Sequence, residues 1–405
     1  MKKMLTLSLV TMFFLSMISL NPAFAGNRVW EYSDEMPSPL VGFGMVNVNG
    51  DIYFFGGQTT TTVTNKVEVY NPTSNTRIAK SNMPTARAGF STVTLNNKIY
   101  TFGGFSGNAA TYDGGPLNTV EVYDLATDTW ASKATMPSAR GWATAAVYNG
   151  KIYVFGGLVS KSEEASNTVF VYDPTTDTWA NKANMPVIQY APSSVVVNNK
   201  IYIVGGSTGA SRVQNTLWEY TPENDTWIKK AGMATARCAV AAVYWDGVIY
   251  AIGGATSSSG TNVVEMYDIS SDTWKSAPSM NDSRWGHAST VIGGKLSVFG
   301  GGTQFNAISK SVEILTIEDP STPIYDGRAL LTIYISGGQI KEYDLSAAEL
   351  NAFITWYDTK DAGTGPAKYK FIKTWNKGPF KARTEYVIFD KILTFDVDEY
   401  DAVNP

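Results

Sequence analysis

GWATAAVYNGKIYVFGG, residues 141–157, holds two short runs of small, aromatic and β-branched residues, split at Asn149-Gly150 and ended by Gly156-Gly157. Asn-Gly between two such runs marks a hairpin, because both residues accept the positive φ of a tight turn. TVFVYDP (168–174) and TWANKA (178–183) follow, joined through the polar turn residues PTTD. The whole reads as four antiparallel strands.

The unit recurs. Gly pairs at 56-57, 103-104, 156-157, 205-206, 253-254 and 300-301 close runs such as KIYTFGG and KIYIVGG, and a Met stands 20 residues before each first Gly, from Met36 to Met280. Downstream comes a Tyr and then a Trp, as in Tyr123 and Trp130, Tyr172 and Trp179, Tyr220 and Trp227, and Tyr267 and Trp274; the first unit carries Arg77 after Tyr70 instead. Nothing from residue 28 to 318 has the length and period of an amphipathic helix. Four-stranded units of this size in tandem predict a propeller.

Trp30 lies six residues before Met36, the interval that separates Trp130 from Met136 and recurs in three later units. Residues 28–34 are therefore a fourth strand in register. The sixth unit supplies KLSVFGG and KSVEILTIEDP but has Thr322 where its Trp belongs. The N-terminal strand is expected to complete the last blade, closing a six-bladed ring with no long sheet edge left open and tying the last blade to the first.

The order Arg, Gly-Gly, Tyr, Trp at these intervals resembles the kelch repeat. That resemblance implies an all-β, six-bladed kelch β-propeller closed by an N-terminal strand, here over residues 26–319. It leaves function open, since propellers host enzymes, adaptors and lectin-like proteins alike.

Between the first Gly of each pair and the Tyr column the interval runs 14, 20, 16, 15, 14 and 15 residues, so every insertion falls between strands two and three. Those loops, such as FSGNAATYDGGPLN and LVSKSEEASN, emerge on the same face as the connections from strand four to the next strand one. Variable polar loops on a rigid face are where such folds place binding.

On that face, three residues after each MP-type proline position, runs the column Leu40, Arg87, Arg140, Gln189, Arg237 and Arg284. As a ring round the channel mouth, the arginines would capture an anionic group with their planar forks of donors. The structural alternative has each Arg bonding backbone carbonyls between blades. Kelch adaptors that this chain resembles hold acidic peptides with arginines of this column. Residues that break their columns are further candidates: Gln189 with Tyr190, Trp142, Trp285 with His287, and Tyr112 in the longest loop. Aromatics beside Arg can stack on sugar rings or anchor a peptide, or else cap the core.

His287 is the only histidine, so a multi-histidine metal site is ruled out and neither a metal nor another cofactor is expected. The kelch-type copper oxidases, which need two His ligands and a Cys crosslinked to Tyr, are excluded with it. No nucleophile elbow accompanies His287, so no catalytic residue is assigned. Cys238, the only cysteine, sits in the apolar run AVAAVY and reads as a buried small residue. The enzymatic alternative implied by exported six-bladed kelch relatives is a sialic-acid type mutarotase or epimerase. It needs acid and base groups at the channel mouth, where Asp113, Glu163 and Glu164 are the few carboxylates.

Residues 1–25 read as a secretory signal: Lys2 and Lys3, an apolar core, then Ala23-Phe24-Ala25 as cleavage site. The protein is thus expected outside the cytoplasm, secreted or in the periplasm of a double-membrane bacterium, with no integral membrane span. A formal charge of −4 with no Lys/Arg-rich run argues against a nucleic-acid partner. An extracellular protein or glycan is the expected partner. After EDPSTP the repeat stops, and residues 320–405 read as a small α+β domain in which Ser346 and Glu349 cap a helix with an apolar stripe of Leu350, Phe353, Ile354 and Tyr357. EYDLSAAELNAFITWY and YVIFDKILTFDV resemble C-terminal modules of unrelated secreted bacterial proteins, which implies cell-wall or surface association; a domain docked for stability is the other reading.

Overall fold

The computed structural model describes residues 27–108, 114–209, 212–304, 307–318, 328–336, 339–346, 349–350, 352–354, 356–357, 368–373 and 383–400. They fall into two compact units that divide after Ile317. The first contains six four-stranded antiparallel sheets. In the third blade the strands are Thr144–Tyr148, Lys151–Phe155, Val169–Asp173 and Thr178–Lys182, paired in chain order.

The repeated residues hold blade to blade. Tyr172 pairs with Trp179 across strands three and four, and the rings sit 5.0 Å apart. The Trp179 indole N–H donates to the Ala134 carbonyl of the blade before at 2.9 Å, and the Tyr172 hydroxyl donates to Asp177 at 2.5 Å. Asp177 also accepts the Ala134 N–H at 3.0 Å. The same clamp recurs at Tyr123, Tyr220 and Tyr267. In blade one, Arg77 takes over the Trp's task by donating to the Glu35 carbonyl at 2.8 Å.

The Gly pairs are the counterpart of these clamps. Gly156 has φ +60°, and a Cβ there would stand 2.4 Å from the Gln189 carbonyl and 2.8 Å from the Met185 methyl of the next blade. Only glycine allows that backbone approach. The constant spacing from Met to Gly spans a blade's own entry loop and first two strands, and the Gly that ends it meets the Met of the next blade.

Blade six is completed by the N-terminal strand Asn27–Ser33, which lies beside Val312–Glu318 in the order expected. Its side chains reach blade five as well. Trp30 is buried among Tyr250, Met266, Met280 and Leu296, and its indole donates to the Pro278 carbonyl at 2.8 Å. Arg28 donates to the Tyr250 hydroxyl at 2.7 Å, pairs with Asp246 and lies over the Trp245 ring. Contact with blade one comes instead through the Met36 N–H, which donates to the Lys310 carbonyl at 2.7 Å, and through Leu40 and Phe43 packing with Phe299 and Val312.

The second unit is α+β. Arg328–Ile335 lies between Gln339–Ser346 and Ile392–Tyr400, and Lys368–Lys373 forms a hairpin with Arg383–Ile388. The helical residues Leu350, Phe353, Ile354 and Trp356 are buried with Leu331, Ile333 and Tyr343. Trp356 takes the buried place expected of Tyr357, which is half-buried. Glu349 and Ser346 form the reciprocal cap, with the Ser346 N–H donating to the carboxylate at 2.9 Å. Residues 1–26, which include the expected signal segment 1–25, lie outside the described residues.

Candidate functional site

Two residues beyond the arginine column, Gly42, Gly89, Trp142, Ala191, Ala239 and Gly286 all have positive φ, from 48° to 61°. Each N–H donates to the carbonyl of the residue in the preceding blade, at 2.7 to 3.0 Å, and the sixth bond closes the circle. A ring of backbone hydrogen bonds thus girdles the axis. Trp142 is the one large side chain in it, held in a conformation that L-residues adopt at a cost. Its indole runs across the axis: a Cβ at Gly89 would lie 2.9 Å from Trp142 Cε2, at Gly42 2.9 Å from Cη2, and at Gly286 3.3 Å from Cη2. Glycine in blades one, two and six makes room for one tryptophan from blade three. Beside it is a cavity of about 130 Å³ lined by Phe43, Phe90, Trp142, Pro192, Val240 and His287 among others.

His287 is 9% exposed, between Gly253 and Gly301. Burial first, then the positive fields of Arg284 and Arg237, pull its pKa down to about 3, with the Ile252 backbone acting weakly in the other sense. Neither ring nitrogen makes a hydrogen bond of full geometry within the chain. The imidazole is therefore neutral and faces the cavity.

The arginine column lies elsewhere than at the channel mouth. Arg87, Arg237 and Arg284 are each 0% exposed. Arg87 donates to the Gly103 and Thr119 carbonyls at 3.0 and 3.3 Å and pairs with Glu121 at 2.8 Å. Arg237 does the same with Gly253, Val263 and Glu265, and Arg284 with Gly300, Ser311 and Glu313. Glu265 and Glu313 in turn accept backbone N–H groups of the entry loop, at Ala234 and Asn281. Each pair stitches that loop to strand three, which corrects the expectation of an anion-capturing ring: these charges are spent inside the blades. Burial lowers the Arg237 pKa to about 10 against the opposing pull of Glu265.

Three positions depart from the scheme, the first being Leu40, which packs in an apolar cluster in blade one. Arg140 is 3% exposed, but Phe170 stands where a Glu pairs in the other blades. Gln189 is fully buried with neither amide atom hydrogen-bonded, and Trp218 holds the Glu position of its blade. The carboxylate partners are legible in the sequence as the Glu two residues before the Tyr column in VEVY and VEMY, and before Leu315 in VEIL, although the glutamates were not among the expected site residues. Among the aromatic candidates, Trp142 and Tyr190 meet in one apolar cluster with Phe105 and Leu158. Trp285 packs apart from them over Gly260 and Gly302. Tyr112 lies outside the described residues, as does Asp113.

Above the ring the six loops rest on a second tier of β-bridges. Val41, Ala88, Gly141, Tyr190, Cys238 and Trp285 each bridge the residue after their blade's Gly pair, and that residue bridges the returning loop, as in Gly141 to Leu158 to Ala165. Loops of unequal length thus spring from one fixed base. Burial raises the Cys238 thiol to about 11, so it is a packed thiol at neutral pH. No helix among the described residues is long and apolar enough to cross a membrane.

The sequence profile of the KLHDC2/KLHL20/DRC7 Kelch-repeats domain matches three overlapping stretches, residues 27–185, 76–230 and 131–301. An uncharacterized protein of Clostridium acetobutylicum is 38% identical over 73 residues, 18% of this chain and 18% of that protein, so the match spans less than a fifth of the relative. Among solved structures, YjhT superposes with a TM-score of 0.61 at 15% identity over 71% of this chain and 99% of its own. That likeness is one of fold.

Proposed function

This chain belongs to the kelch-repeat propellers, and from that premise we propose that it is an exported binding protein whose loop-bearing face holds an extracellular protein or glycan. The observation that carries the reading is the bridged tier beneath the six loops. Tying each loop at both ends before a partner arrives removes much of the ordering cost of binding, and loops of differing length and sequence give the surface its specificity. Trp142, half-buried across the axis, is the aromatic anchor of this surface, with Tyr190 buried in the cluster that supports it. The outward destination rests on the basic, apolar and small-residue pattern of residues 1–25.

A sugar-acid mutarotase on the same face would need an acid and a base poised together. Glu121, Glu265 and Glu313 are committed to arginines and His287 is buried and neutral, so among the described residues proton transfer on this face would fall to Glu163 and Glu164, neighbours in one loop.

Trp142→Gly is the discriminating variant, because glycine is the residue three other blades carry in the ring. Wild type and variant are applied to glycan and peptide arrays, and the anomers of sialic acid are followed by NMR. Binding that falls at least tenfold in a variant of unchanged circular dichroism supports the reading. Accelerated anomer exchange, or binding indifferent to Trp142 and to exchange of the 159–165 loop for a Gly-Ser segment, overturns it.

A further inference from the structure

Four blades carry an arginine in the entry-loop column, and three of them supply internal controls for the fourth. In those three, the guanidinium reaches inward to two backbone carbonyls and meets a buried glutamate of strand three. Arg140 is placed otherwise. It donates to the Ser138 hydroxyl at 2.7 Å, the Ala139 carbonyl at 2.9 Å and the Thr168 hydroxyl, and it lies 5.0 Å from the Phe170 ring centroid. Among the described residues no carboxylate pairs with it, and burial, the sole cause acting on it, lowers its pKa only to about 10. A full positive charge therefore sits 3% exposed at neutral pH among neutral groups.

Taking a guanidinium out of water without a counter-charge is costly, and a ring face returns only part of that cost. We propose that Arg140 holds a small monovalent anion of halide size inside blade three, beside the Phe170 ring, as the counter-charge that glutamate carboxylates supply in the neighbouring arginine blades. The donors suit it: guanidinium N–H groups together with the hydroxyls of Ser138 and Thr168, and Ser166, whose hydroxyl lies 3.0 Å from that of Thr168. Enclosure sets the class. An anion carried on a polymer does not reach a group this buried, and a dianion overcompensates a single guanidinium. The site is independent of whatever the loop face binds.

The test uses the mature chain at neutral pH and fixed ionic strength, with sodium chloride exchanged against sodium gluconate. Chloride is expected to raise the wild-type unfolding midpoint by about 2–4 °C between 1 and 200 mM, the size of shift that ligand linkage gives a domain of this size. It should also broaden the chlorine-35 NMR line. Phe170→Glu rebuilds the pair of the other blades and should abolish both responses. Arg140→Gln, which places in blade three the residue that blade four buries, serves as the second variant should the first fail to fold, and should abolish them too. A wild type indifferent to chloride, an equal response to gluconate, or broadening that survives in the variants overturns the site.

Discussion

At His287 burial and field act in one direction. Its folded pKa of about 3 lies below the ordinary value near 6.5, so between those limits the unfolded chain binds a proton that the folded chain refuses. Stability present above pH ~6.5 is therefore lost as the pH falls through that window, with a slope of at most ~1.4 kcal/mol per unit. Phe43 and Phe90 hold the equivalent position in blades one and two, so His287→Phe fits the site and removes the titration. Melting temperatures from pH 7 to 4.5 should decline less in the variant than in the wild type; parallel curves would mean that His287 is hydrated and titrates normally. The sequence singled out this residue by its solitude, but nothing in the letters says that Gly253 and Gly301 enclose it. The arginines stayed open between two readings for a related reason. A column gives the position of a side chain on its element, whereas its direction depends on the partner it finds, and Glu121, Glu265 and Glu313 lie about 30 residues downstream.

The clamp between blades is a property of elements, and its acid dependence is distinct from that of His287. Tyr172 and the Ala134 N–H both donate to Asp177 and hold its carboxyl below the usual range; Asp128 is lowered by Tyr123 and Ser81, and Asp272 by Ala231 and Tyr267. A carboxylate depressed on folding contributes stability above its unfolded value, near 3.9, and that contribution disappears as the pH falls through the lower folded value. Asp177→Asn keeps an acceptor for Tyr172 and Ala134 but does not titrate. The variant should be less stable than wild type at pH 7 and lose less on going from pH 4 to 2, measured by urea midpoints. An identical acid profile would show that the Tyr-Asp contact carries no linkage. Both halves of this clamp were visible in the sequence as the Tyr to Trp interval and its turn Asp, because the elements that make them are local and repeated. What stayed hidden was that the contact crosses to the blade before, which a one-dimensional period does not specify.

Around the whole ring, closure depends on chain ends that meet far apart in sequence. The vacant fourth position of the last unit and the spare Trp30 at the start were enough to deduce the joint, since a propeller leaves one place for each. The partners of the closing strand were not deducible: Trp30 and Arg28 grip blade five, while blade one is held by Met36 and Leu40 at the following turn. Trp30→Ala should therefore cost ~3–5 kcal/mol, the range for emptying a buried aromatic site. Its effect should be regional. Amide exchange is expected to accelerate in Val248–Ile252 and Lys295–Phe299, the second strands of blades five and six, with Lys151–Phe155 across the ring unchanged below the unfolding threshold. Acceleration in Asp51–Phe55 of blade one ahead of Val248–Ile252 would place the joint on the wrong side. Equal acceleration in all six blades would mean that the ring opens only as one cooperative body, with the terminal strand as its latch.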